Sequence, residues 1–195
     1  MGFGATVQVN RLTPFVTEIY QQAIGAPTDR LVEEINLRRQ GDDGVGRSNV
    51  GGYHSTPFLP GRDEPSLTSV VQRATVLVDQ IAADLGLGRL RMNGLWINVS
   101  ETGHRNDWHH HPFTVLSAVY YVAVPDGSGD LRIERPDAQI HYWRRSNGDR
   151  PATCQVWRYT PTAGDLLIFP AYLRHDVEEN RSDEARISLA MNYSY

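Results

Sequence analysis

Cysteine is nearly missing from this sequence: Cys154 is the single example in 195 residues. One thiol cannot close an intramolecular bridge, so a disulfide framework is excluded. Long hydrophobic runs are missing too. No apolar stretch approaches the roughly 18 residues that suggest a membrane-spanning helix. There is no excess of positive charge. The formal net charge is −4 and arginine dominates the cations, but it is scattered, with no basic arm or stripe. A nucleic-acid partner is therefore not expected. The opening MGFGATVQVN has no charged segment followed by an apolar one, so no secretory leader is read there. The expectation is a soluble, cytoplasmic protein.

What is present divides in two. Residues 1–89 are helical in tone, and residues 90–195 are β-rich, within one expected domain. Residues 6–10 can form a short strand. Thr13 can cap a helix that begins at Pro14. Gly25 and Pro27 break the helical stretch, giving helices over 15–24 and 29–39, the latter with Leu31, Ile35 and Leu37 on its apolar side. Residues 41–65 are rich in Gly, Asp, Asn, Ser and Pro and read as a long loop, a candidate lid. Ser66 or Thr68 then caps a helix reaching about Leu85, whose Val70, Val71, Ala74, Leu77, Val78 and Ile81 recur at helical spacing. Strands are expected over 90–100, 114–124, 130–134, 138–143, 153–159, 165–169, 173–177 and 185–193, separated by turn clusters such as Pro125-Asp126-Gly127-Ser128-Gly129. With the histidine run, eight or nine strands follow two or three helices. That is a mainly β fold, a sandwich or barrel carrying helices on one side.

Four of the seven histidines crowd into HRNDWHHH, residues 104–111, and another, His175, lies in FPAYLRHDVEEN. Side chains two apart on a strand share a face. His109 and His111 then project together, His110 projects away, and a later strand can bring His175. Three nitrogen donors on one side leave coordination positions open, as oxygen-activating iron sites require. The plainer reading is a solvated cluster. His-x-His before an apolar strand, with Gly-Asp-apolar-Phe-Pro and a later histidine, is more specific than that. Asp107 has the same strand parity, so it stands as an alternative carboxylate ligand. Asp176 has the opposite parity to His175.

Arg186 and Ser188 share a strand face eleven and thirteen residues after His175. A guanidinium with a hydroxyl two residues on suits a carboxylate, through paired N–H donors and one O–H. Alone, the pair is equally a surface arginine and a sheet serine.

These residues carry a resemblance to the iron(II)- and 2-oxoglutarate-dependent oxygenases, and to a bacterial and phage group of them without assigned substrates. The similar stretches are RSNVGGYHS (47–55), LWINVS (95–100), WHHHPFTVLSAVYYVAVPDGSGDLRIE (108–134) and GDLLIFPAYLRHDVEENRSDEARISLAMNY (164–193). The resemblance implies a double-stranded β-helix, or jelly roll, with Fe(II) near one open end. It implies iron ligation by His109, His111 and His175, with 2-oxoglutarate as co-substrate. Arg186, helped by Ser188, would hold the distal carboxylate. It further implies oxidation, most simply hydroxylation, of a small molecule with release of succinate and CO2. One departure concerns the middle ligand: the wider superfamily has Asp or Glu where this chain has His111. A neutral ligand there changes the charge at iron and leaves room for a halide or a displaced ligand. Asn98, which shares a face with Trp96, can bond the keto-acid end of 2-oxoglutarate or satisfy a neighbouring backbone group. Of the adjacent Tyr120 and Tyr121 one faces the barrel interior, and Tyr120 is taken as the one that reaches the co-substrate.

Two other classes fit parts of the pattern. A cupin-type three-histidine dioxygenase would use the same ligands without 2-oxoglutarate, but it leaves Arg186 and Ser188 without a role. A non-catalytic jelly-roll binding module would make any metal structural. Arg47, Arg62 and Arg132 can meet an acidic substrate group, or can simply be solvated. Edges of the β-rich core can pair in a homodimer.

Overall fold

The computed structural model describes residues 16–137 and 155–195. The strands expected over 6–10 and 138–143, the cap at Thr13 and Cys154 lie outside those residues.

Helix α1 (Asp29–Gln40) starts where the Thr28 hydroxyl accepts a hydrogen bond from the Leu31 N–H at 3.2 Å. Leu31, Glu34 and Ile35 form its buried side. Leu37 does not join them and is 67 % exposed. Two residues on from Ile35 is about 200° around the helix. Helix α2 (Pro65–Asp84) begins earlier than Ser66 or Thr68, with Glu64 at the N-cap and Pro65 in the first turn. Glu64 makes no side-chain cap bond. The cap comes from the other helix instead: the Glu34 carboxylate accepts from the N–H of Ser66 at 3.0 Å and of Leu67 at 2.9 Å. That fixes the N-terminus of α2 to the buried side of α1 at its middle.

The helix expected over 15–24 is not formed. Its described part carries strand β1 (Tyr20–Ala23), antiparallel to β9 (Asp165–Pro170). The edge of β9 offers backbone partners, and Gln21 adds a side-chain bond to Asp165 at 2.7 Å. This tertiary pairing outweighs a weak local helical preference. The stretch 41–65 is likewise more than a loop. It carries β2 (Asn49–Val50), paired with β5 (Arg105–His109), and β3 (Tyr53–His54), paired with β4 (Arg91–Ser100).

The remaining strands are β6 (Leu116–Ala123), β7 (Leu131–Glu134), β8 (Val156–Tyr159), β10 (His175–Val177) and β11 (Arg186–Ser194). All pairings are antiparallel and make two sheets, ordered β1-β9-β6-β11-β4-β3 and β2-β5-β10-β7-β8. The first ninety residues thus contribute strands to both sheets. Among the described residues the architecture is mainly β, a jelly roll with two helices on one side.

Alternation along the large sheet makes two apolar layers. Leu95, Ile97, Val99, Leu116, Ala118, Tyr120, Leu189 and Met191 meet Leu31, Ile35, Leu67, Ala74 and Val78 of the helices. The opposite face contributes Tyr121, Leu167 and Phe169, which meet Leu131, Ile133 and Leu173 between the sheets. Each such fully buried aliphatic contributes about 1.5–3 kcal/mol relative to exposure. This second layer is small and leaves the space between the sheets open at one end.

Candidate metal centre and co-substrate cavity

That opening is a cavity of ≈ 580 Å³ reached by His109, His111, His175, Arg186, Ser188 and Asn98. His109 and His175 lie directly opposite each other on β5 and β10. Their ring centroids are 4.3 Å apart, with His111 at 5.1 Å from His109 and 5.2 Å from His175. One donor atom from each of the three falls within 4.8 Å of the others. His111 sits just past the end of β5, where its N–H donates to Ala171 O at 3.1 Å. The two histidine-bearing segments are therefore tied to each other by backbone.

Carbonyls orient two of the rings. His109 Nδ1 lies 2.7 Å from Asp107 O, and His175 Nδ1 lies 2.8 Å from Leu173 O. Such contacts make Nδ1 the protonated nitrogen and leave the Nε2 lone pair for a metal. Burial, then the neighbouring His109, pushes His175 down to about 3 and His111 down to about 4. Burial lowers His109 as well. All three rings are therefore neutral at pH 7. Three convergent neutral imidazoles, two held by fixed tautomers, fit a divalent transition metal with positions left over.

Asp107 does not join the set. Its carboxylate is exposed and accepts from Arg105 Nε at 3.1 Å. The cause is a register shift on β5: His109 faces His175, but Asn106 faces Val177, three residues against two. A bulge of one residue reverses the parity that would have aligned Asp107 with His109. It turns Asn106 inward instead, where its amide donates to Ser48 Oγ at 3.2 Å. Asp176 faces away from the metal site and pairs with Arg132.

On β11, Arg186, Ser188, Ala190 and Asn192 line the cavity while Leu189 and Tyr193 enter the helical layer. Ser188 stands opposite Asn98 on one side and Tyr121 on the other. Arg186 is 3 % exposed. Its guanidinium donates to Gly129 O at 3.4 Å, and among the described residues no carboxylate pairs with it. Burial pushes its pKa below the ordinary arginine value, offset only in part by Tyr121. Gly129 is held tightly (φ +91°), and a Cβ there would fall 2.6 Å from Glu178 O.

Tyr120 is not at the site. Its ring enters the helical layer and its hydroxyl donates to Gly25 O at 2.8 Å. Tyr121 is the inward member of the pair and lines the cavity. The β2–β3 segment adds residues that sequence reasoning did not single out. Ser48 Oγ lies 3.5 Å from His109 Nε2. His54 is buried, stacks on Trp96 at 5.5 Å, and its Nδ1 is 2.9 Å from Ser55 O. Arg47 reaches the same cavity. Arg132 is engaged with Asp176 and Glu178, and Arg62 is exposed.

Solved structures share this architecture. A Pseudomonas putida prolyl-4-hydroxylase superposes with a TM-score of 0.61 at 18% identity, covering 91% of this chain and 92% of its own. A prolyl hydroxylase from Trichoplax adhaerens, solved with a hypoxia-inducible-factor peptide fragment, gives 0.66 at 14% identity, with 90% and 82% covered. The non-heme alpha-ketoglutarate-dependent epimerase SnoN from nogalamycin biosynthesis gives 0.61 at 19% identity, with 91% and 77% covered. No curated protein sequence matches the chain. A family profile described as "Putative 2OG-Fe(II) oxygenase" matches residues 94–192, just over half of the chain, from mid-β4 into β11. That match decides against the cupin-type and binding-module readings, and makes Fe(II) and 2-oxoglutarate the relevant cofactors. The chain belongs to the 2-oxoglutarate- and iron(II)-dependent oxygenases.

Proposed function

We propose that this oxygenase hydroxylates a small organic molecule, with iron held by His109, His111 and His175 and 2-oxoglutarate held by Arg186. The observation that carries the reading is the buried Arg186 guanidinium, which has no carboxylate partner among the described residues and opens into the cavity that holds the three histidines. A buried cation of that kind is costly unless an anion reaches it. The distal carboxylate of 2-oxoglutarate supplies one, with the Ser188 hydroxyl beside it and the Asn98 and Tyr121 side chains on the neighbouring strands.

Bound iron supplies the redox chemistry that couples decarboxylation of 2-oxoglutarate to insertion of one dioxygen atom into the substrate, the other ending in succinate. The protein orients and encloses. Asp107 O and Leu173 O keep His109 and His175 in the ligating tautomer. The ring of Phe169 lies edge-on to His175 at 4.9 Å and keeps water from that side. The strands β2 and β3 bring Arg47, Ser48 and His54 over the cavity, where they would meet substrate. A cavity of ≈ 580 Å³ is within the usual small-molecule range, about 300–1,000 Å³. Structural neighbours act on prolyl residues or in nogalamycin biosynthesis, so both kinds of substrate occur on this fold.

The test separates them. Protein loaded with iron, 2-oxoglutarate and ascorbate is given the small-molecule and the protein fraction of a cell extract. Succinate release above background from the small-molecule fraction, with a product one oxygen heavier, is the expected result. Release from the protein fraction alone would mean a peptide substrate.

A further inference from the structure

The three ligand rings are not held alike. His109 and His175 each have Nδ1 at a backbone carbonyl, 2.7 and 2.8 Å away. No hydrogen bond to the His111 ring is found among the described residues. What touches it is aromatic: Trp96 at 5.6 Å, tilted by 51°, and the other two histidines. Trp96 is itself stacked on His54, nearly parallel at 11°. Metal-bound histidines ordinarily donate their second N–H to a carbonyl or carboxylate, which fixes the ring and strengthens the ligand. His111 lacks that support, and only packing holds its ring in place. The residue also lies beyond β5, in a segment where Phe113 takes a positive φ of 63°.

We propose that His111 is the exchangeable ligand of the three, and that Trp96, backed by His54, is the residue that positions it. Resting on the three-histidine reading above, this assigns His109 and His175 the permanent hold on the metal. His111 closes the set while the indole keeps its ring turned toward the other two. Displacement of His111 frees one further coordination position without loss of the metal. Its second ring nitrogen, which has no carbonyl partner among the described residues, is then a donor for whatever occupies the site. Trp96 acts through His111 and does not itself touch the metal.

Cobalt(II) is the probe, added anaerobically to the full chain, with affinity read by competition and coordination read from the visible absorption bands. His111→Ala is expected to weaken cobalt binding about tenfold, the lower end of what loss of supporting groups costs. His109→Ala and His175→Ala should each lose at least an order of magnitude more. Trp96→Leu should reproduce both the affinity loss and the band shift of His111→Ala. The double variant should show no further loss, and Trp96→Phe should restore the native spectrum. Should Trp96→Leu fail to fold, as judged by circular dichroism, His54→Ala reads the same contacts and should shift the bands in the same direction. Two results overturn the proposal while leaving the triad intact: His111→Ala losing cobalt as fully as His109→Ala, or the Trp96 and His54 variants leaving affinity and spectrum unchanged. If His109→Ala and His175→Ala keep native cobalt affinity, the three-histidine reading fails and this proposal fails with it.

Discussion

On the co-substrate role proposed above, Arg186 would set function and stability in direct opposition. Its guanidinium is buried against one long backbone contact, so the free protein carries a desolvation cost that only an anion relieves. Arg186→Met keeps the volume and removes the charge. The free variant is expected to be at least as stable as the parent, by about 1 kcal/mol or more. Its affinity for 2-oxoglutarate should fall at least about thirtyfold, because a buried charge pair is lost. Melting curves with and without 2-oxoglutarate check both halves, and a less stable free variant that still binds would contradict the assignment. Phe113 is a second place of tension. A φ of 63° is unfavourable for a side chain of this kind, and the ring is 98 % exposed, so no packing repays it. Phe113→Asn should stabilise the chain by about 1 kcal/mol, raising Tm by roughly 2–4 °C. An unchanged or lower Tm would mean that the ring makes contacts that matter. The two tyrosines show where single residues stop being legible. Both faces of β6 are buried, one under the helices and one between the sheets. An apolar strand of that kind gives no sign of which tyrosine points inward.

At the scale of elements, local pattern and pairing compete. Strands β4, β6, β7, β9 and β11 and both helices were legible because their periodicity and turn residues agree with their burial. The β5 bulge was not. It lies in a run where every residue is polar or aromatic, so no alternation marks the extra residue, and the parity argument for Asp107 failed there. Strands β1, β2 and β3 were also hidden, since they are short and exist through partners far away in sequence. Histidines 109, 111 and 175 survived these errors because a two-residue spacing and a strand partner brought them together independently of the bulge. The joint between α1 and α2 has a definite pH signature. Burial would raise the Glu34 pKa, but the Leu67 and Ser66 amides and Arg30 outweigh it and hold the carboxylate below its usual range. A lowered folded pKa stabilises the protein above the unfolded value, about 4.5, and this contribution is lost as pH falls through the folded value. Glu34→Gln should therefore cost about 1–2 kcal/mol at pH 7, the scale of a lost cap. The gap to the parent should close progressively below about pH 4.5. Denaturant titrations at pH 7, 5 and 3 check this, and a gap that widens in acid would remove Glu34 from the capping role.

For the whole molecule, the sheets are joined through their shared cavity as much as through core. The layer between them is a handful of side chains, whereas the helical layer is extensive. His109 and His175 stand on the small sheet, and Arg186, Ser188 and Asn98 on the large one. Metal binding alone draws together residues of β5, β10 and the segment after β5, all at one edge of the opening. A co-substrate that joins the metal to Arg186 bridges both sheets. Ligands that bind only the folded state stabilise it by mass action, about 2.7 kcal/mol at a hundred times Kd, or roughly 5–11 °C for a chain of this size. Because 2-oxoglutarate would use the metal for half of its grip, its stabilising effect should depend on the metal. With cobalt(II) present under anaerobic conditions, 2-oxoglutarate should raise Tm by several degrees beyond cobalt alone. After chelation by EDTA the same concentration should raise it little, and in Arg186→Met the increment should vanish even with cobalt. The size of that metal-dependent increment measures how strongly the two halves of the cavity are coupled. An increment that is equal with and without metal would mean that 2-oxoglutarate binds away from the histidines, and the bridging arrangement would have to be abandoned.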